Sequence, residues 1–352
     1  MTDSTAVILA CVFAAIAVLA LVFVKKKALR IALAVVFALL AALFYLHKPS
    51  DGEIKRLALA RVEADIKTAT DIVQQTRFDG SMISYGYEAT SEYEKLTDRQ
   101  KKLYDEILPK VQKIEDFTYT AAEYGYDTLD DLLIVMGAIN SDHPELELYF
   151  SIADVDDGDT TTALTSHYFM PAGGDVKTDE QKAELKRELE IFNAECDAVV
   201  AAMPEGLSTY DKYRYLATFI SLRTTYDYDA VGGNQIATAY GAIEGGLSIC
   251  QGYSRGFEYL CQKADLWCRT VSGESRETSH AWNLVKLESG TYHVDVTWSD
   301  GSDIPADSLD WFGYFMLTQD EILFDHKIDD ATVATGTHID PPLRSNYDRA
   351  MG

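Results

Sequence analysis

Cysteine is scarce and oddly counted in this chain. There are five in 352 residues, Cys11, Cys196, Cys250, Cys261 and Cys268, with no CxxC pair and no metal-type spacing. Neither a disulfide framework nor a zinc site is suggested. Basic residues are few as well, 31 against 56 acidic ones for a formal charge of −25. A field of that sign repels nucleic acid, so no nucleic-acid partner is expected, and the acidity reads as a solvated surface. The chain has no internal repeat and no low-complexity tract. Its glycine-rich stretch "DAVGGNQIATAYGAIEGGLSI" lacks the spacing of a phosphate-binding loop. In "DVDDGD" the fifth position from Asp154 is Gly158, where a calcium loop needs an oxygen ligand. No metal or organic cofactor is implied.

What is present suits a globular protein, 47% hydrophobic and 25% charged. Residues 6–24 carry no charge, about the length a helix needs to cross a bilayer. Residues 28–46 repeat the pattern with Arg30 near one end, and "KKK" at 25–27 joins the two. The start "MTDST" lacks the basic region of a signal peptide, which favours a transmembrane helical hairpin. By the positive-inside rule the lysines stay cytoplasmic and everything after His47 is extracytoplasmic. The membrane is thus an expected partner, through a two-pass anchor in the cell membrane.

Residues 1–47 are read as that hairpin and 48–95 as a helical stalk. Residues 96–175 form a small α/β region, and 176–345 the main domain. Thr97 with Gln100 and Thr178 with Gln181 are capping boxes that open helices, and Ser208 caps another. Pro109 is expected to kink or interrupt the first of these. "ELELYFSIADVDDGDTTTALTSHYF" alternates on both sides of a polar turn near Asp157 and Gly158, as a β-hairpin does.

Most cysteines read as core, and two fall on apolar helical stripes, Cys196 with Leu185, Leu189, Phe192, Val199 and Met203, Cys261 with Phe257, Leu260 and Ala264. A free cysteine of that kind is ordinarily an inert core residue. Cys250 differs. If a helix starts there, after "GLSI", unpaired N–H groups and the positive end of the helix dipole stabilise a thiolate. It would then share a face with Tyr253, Phe257, Leu260 and Ala264, an orientation that a core role and a catalytic role both allow. A base separates the two roles, and only seven histidines exist. His280 heads the alternating segment "SHAWNLVKL", and Asp295 lies on the strand that follows. Together with Cys250 they supply a nucleophile, a base and a group to orient it.

The stretches "TAYGAIEGGLSICQGYSRGFEYLC", "WCRTVSGE", "HAWNLVKL", "YHVDVTWSD" and "YFMLTQDEILFDH", in order over residues 210–326, resemble the bacterial transglutaminase-like superfamily. The resemblance implies an α+β fold with a papain-like core, a helix starting at the cysteine and packed on an antiparallel sheet. It also implies catalytic positions for Cys250, His280 and Asp295, and acyl transfer from amide bonds through a thioester. Protein or peptide substrates follow, cell-wall peptide among them. Gln251, through its backbone N–H, and Tyr240 and Trp282 are candidates for the oxyanion site or the cleft lining, and His326 is expected to be structural. The alternative from another class is a cell-surface binding module that keeps the fold without the chemistry.

One geometric expectation runs against the triad. A three-residue loop of Glu288, Ser289 and Gly290 sets Asp295 opposite Asn283, three residues and about 10 Å from His280. A bulge or a shifted register is needed to join them.

Overall fold

The computed structural model describes residues 51–75, 91–120, 129–156, 161–300 apart from 172, 230 and 232, 310–329 and 334–339. The transmembrane hairpin expected at residues 1–47 and the turn expected at Asp157 and Gly158 lie outside them. Among the described residues no helix is long and apolar enough to cross a membrane. The described residues from Leu59 onward belong to one compact unit.

Helix α1 (Asp51–Gln75) lies within the segment read as a stalk. Val62, Ala69 and Val73 form a fully buried stripe on it, and Arg61 reaches both carboxylate oxygens of Glu244 at 2.8 Å. Its apolar positions are too few for a strong sequence signal, yet they are spaced to share one face.

After α2 (Glu92–Lys95), α3 (Asp98–Lys113) opens with the Thr97–Gln100 capping box. It continues unbroken through Pro109, where the sequence leads one to expect a break. Leu103, Tyr104, Ile107 and Val111 are buried along one side of it. Burying such side chains is worth about 1.5–3 kcal/mol apiece, against about 3 kcal/mol for an internal proline, so packing wins. Strand β1 (Thr118–Tyr119), helix α4 (Asp130–Asp142) and the hairpin β2 (Phe150–Asp156) and β3 (Thr161–Tyr168) follow. They give an antiparallel sheet of order β1-β3-β2.

Helices α5 (Asp179–Ala201) and α6 (Thr209–Arg223) start at the Thr178–Gln181 capping box and at Ser208. A short parallel pair, β4 (Thr225–Tyr226) and β5 (Leu247–Ser248), leads into α7 (Cys250–Lys263). The principal sheet is antiparallel, of order β10-β6-β7-β8-β9. Its strands are β6 (Cys268–Ser275), β7 (Thr278–Leu287), β8 (Gly290–Val294), β9 (Phe315–Leu317) and β10 (His326–Ile328). Two short helices, α8 (Val296–Ser299) and α9 (Gln319–Ile322), flank β9.

The pleat divides the principal sheet between two cores. Val285, Leu287, Tyr292 and Val294 join Tyr253, Phe257 and Leu260 of α7 in the main core. Val271, Trp282 and Leu284 pack on the other side with Ile322 and Ala334. The result is an α+β arrangement of helices on an antiparallel sheet, with α7 starting at Cys250.

Candidate active site

Cys250 is the first residue of α7. Ile249 before it is extended and offers no side-chain cap, so the N–H groups of Cys250, Gln251 and Gly252 have no partner within the helix. The helix start is seated tightly, since Ile249 N–H donates to the Ile236 carbonyl at 3.0 Å. A Cβ on Gly252 would fall 1.9 Å from Ser248 Oγ and 2.4 Å from the Ile236 carbonyl oxygen, so only glycine fits there. Exposed N–H groups and the dipole favour negative charge at the sulfur and at an oxygen beside it.

His280 approaches from β7, where it pairs with Gly273 of β6. Its Nε2 lies 2.7 Å from Asp295 Oδ2, and its ring stacks on Trp282 with centroids 5.9 Å apart and planes 19° apart. With Nε2 on Asp295, Nδ1 is left for the sulfur, and the Cys250 thiol lies under the influence of His280 and of the Ala281 N–H. Asp295 is fully buried. It caps α8, its Oδ1 accepting the Trp298 N–H at 3.2 Å.

The register that brings Asp295 to His280 differs by one residue from the sequence expectation. Leu287 pairs with Gly290, so Glu288 and Ser289 alone make the loop, and Asn283 faces Val294. Gly290 belongs to the strand at φ +134, a conformation open to glycine, and a Cβ there would meet Gly336 N at 2.6 Å. Continued by one residue, this register sets Asp295 across from Trp282 and on the same face as His280, about 7 Å away along the strand. Two side chains span that gap. No bulge between β7 and β8 is needed; the irregularity falls on the other side, between β8 and β9 at His293 and Val294.

Burial alone would raise the Cys250 thiol, but the hydrogen bond and charge of His280 and the Ala281 N–H outweigh it and leave the group below its ordinary value. For His280 burial works against the imidazolium, and the hydrogen bonds and charges of Asp295 and Cys250 push it up to about 10. Burial would also raise Asp295, and hydrogen bonds from His280 and His326 hold it below the ordinary carboxylate value instead. The three shifts share one cause, a row of alternating charge. Cys196, Cys261 and Cys268 are buried, and burial raises each of them.

The remaining sequence candidates are placed differently. Gln251 is exposed at the second position of α7, its N–H beside that of Cys250. Trp282 is fully buried and its Nε1–H donates to His293 Nδ1 at 3.0 Å, so it backs the His280 ring and has no free donor for an oxyanion. Tyr240 packs on Phe192 at 5.5 Å and lies in the field of Glu188, Glu244 and Glu195. Its surroundings are α5 and the Gly241–Gly245 turn, not the Cys250 row. Two residues enter that sequence reading assigned no catalytic part. Tyr226 meets the Cys250 backbone N–H; it pairs with Ser248 in a parallel contact that no local pattern reveals. His326 Nε2 lies 3.1 Å from Asp295 Oδ2.

His280, Asp295 and His326 have ligand atoms within 4.8 Å of one another, a set of two imidazoles and a carboxylate that zinc accepts. The 2.7 and 3.1 Å separations are those of hydrogen bonds. The same atoms serve Asp295 as donors.

Residues 198–296 match the model of the transglutaminase-like superfamily, a span that holds Cys250, His280 and Asp295. The kyphoscoliosis peptidase of Mus musculus is 39% identical over 113 residues, 28% of this chain and 17% of that protein. The kyphoscoliosis peptidase of Homo sapiens is 39% identical over 64 residues, 15% of this chain and 10% of that protein. The chain therefore spans less than a fifth of these curated relatives. A solved structure described as "Crystal structure of a TGase" aligns over 66% of this chain and 57% of that one, at 13% identity and a TM-score of 0.26. Through residues 198–296, the chain carries a transglutaminase-like superfamily domain.

Proposed function

We propose that this chain is a cysteine enzyme that cleaves amide bonds of protein or peptide substrates through a thioester on Cys250. The observation that carries the reading is the Cys250–His280–Asp295 row at the start of α7, with the thiol held below its ordinary value. The Cys250 thiolate adds to the amide carbonyl, and the oxyanion is received by the Gln251 N–H and, once it releases the Tyr226 hydroxyl, by the Cys250 N–H. Imidazolium His280 gives its proton to the departing amine, leaving a thioester and a neutral ring. Water or a primary amine then adds to the thioester, His280 takes the proton, and thiolate and imidazolium are restored. Asp295 keeps the ring oriented and its cation stabilised throughout. The word peptidase in the names of the two curated relatives supports water as acceptor. The two apolar runs at residues 6–24 and 28–46 support a membrane-anchored enzyme with its catalytic domain outside the cytoplasm, where cell-wall peptides are among the accessible substrates.

The test is turnover of a peptide panel containing glutamine side chains, with and without a labelled primary amine. Hydrolysis or amine incorporation is expected in the native chain and not in Cys250→Ala. Equal turnover by both proteins contradicts the role of Cys250. Tight peptide binding without turnover in either favours the binding-module alternative.

A further inference from the structure

Asp295 is held from more directions than one imidazole requires. Its Oδ1 takes the Trp298 N–H at 3.2 Å, and its Oδ2 takes His280 Nε2 at 2.7 Å and His326 Nε2 at 3.1 Å. His326 lies on the edge strand β10, paired with Ser275 of β6, so the second imidazole enters from beyond the strand next to β7.

The His326 ring is itself fixed. Its side chain is fully buried, crossed by Trp282 at 4.9 Å and flanked by His280 at 5.4 Å, Tyr314 at 5.9 Å and Trp298 at 6.1 Å. Its Nδ1 meets Asp325 Oδ1 at 2.7 Å, while Asp325 Oδ2 accepts the Tyr314 hydroxyl at 2.6 Å. Packing alone does not call for an imidazole in such a place. A ring with two polar nitrogens is expensive to bury unless both are used, and here both face carboxylates.

We propose that His326 is a positioning residue for the reaction above: its Nε2 anchors the Asp295 carboxylate so that Oδ2 stays directed at His280 Nε2, and Asp325 with Tyr314 anchors His326 in turn. His326 touches no reacting atom and acts only through Asp295. The proposal rests on the reading of Cys250 and His280 as nucleophile and proton carrier.

Two substitutions separate a positioning role from a packing role. His326→Phe keeps a ring and loses both nitrogens, whereas His326→Gln keeps an N–H donor near the position of Nε2. The measurements are kcat, KM and the rate of Cys250 alkylation by iodoacetamide against pH, with thermal melts to verify folding. His326→Phe should lower kcat about ten- to a hundredfold, the effect of a misplacement of up to 1 Å, with KM within about twofold of native. It should also move the alkylation limb up toward that of an ordinary thiol, and His326→Gln should recover most of both losses. Native kcat and a native limb in folded His326→Phe overturn the proposal, as do equal losses in the two variants. Should His326→Phe not fold, Asp325→Asn, which loosens the ring from the partly exposed side, should lower kcat severalfold at unchanged KM, and native values there overturn it. An acid-shifted limb in the native chain that His326→Phe leaves in place sinks the positioning role alone. An ordinary limb in the native chain sinks the acyl-transfer reading and the positioning role with it.

Discussion

At Cys250 two opposed influences meet, burial that disfavours a thiolate and an imidazolium that favours it, and the imidazolium prevails. The sign of the pH dependence follows. Below the lowered value of Cys250 the sulfur is protonated and turnover stops. Above about 10 His280 is neutral and has no proton for the leaving amine. A pH-rate profile should therefore rise on the acid side of the ordinary thiol value and fall through about pH 10; a profile rising only near the ordinary thiol value contradicts the ion pair. Asp295→Asn leaves an oxygen to accept the Trp298 N–H and so should fold, yet lower kcat by about 10²–10⁴. The residues of this row are legible in the sequence because a cysteine at a helix start and a histidine at the head of a strand are local signals. His326 is not, since its contact with Asp295 depends on β10 pairing with β6, with β7, β8 and β9 lying between them in the chain.

Among the elements, helix starts were the most readable. The capping boxes at Thr97 and Thr178 and the Ser208 cap need only a residue and a partner three positions on, and all three close as the sequence implies. The β7–β8 register was harder, because it depends on whether Gly290 counts as loop or strand, and that rests on a φ of +134 and the approach of Gly336. Composition shows neither. The start of α7 is the element on which the site depends most. Gly252→Ala should push the first turn away from Ser248 and Ile236, destabilising the fold by about 1–3 kcal/mol and slowing Cys250 alkylation. A urea midpoint and a labelling rate both at native values would show that the contact at Gly252 does not seat the helix.

For the whole molecule, the sequence separates a stalk from a domain more sharply than the packing does. Val62, Ala69 and Val73 of α1 belong to the same core as Phe257 and Leu260 of α7. Weak periodicity among many charges hides this, since three buried positions among the described residues of a long helix give little signal. The proposed topology predicts that protease added to intact cells removes the region beyond residue 47. Digestion only after lysis would place that region in the cytoplasm. Every part of the proposed chemistry passes through one covalent species, a thioester on Cys250. The most direct measurement is therefore the intact mass of the full chain, quenched in acid during turnover of an activated acyl substrate, followed by peptide mapping. The account predicts a mass increase equal to the acyl group, confined to Cys250, removed by hydroxylamine and absent in Cys250→Ala. Turnover without any adduct on Cys250, or an adduct that persists in Cys250→Ala, would contradict it.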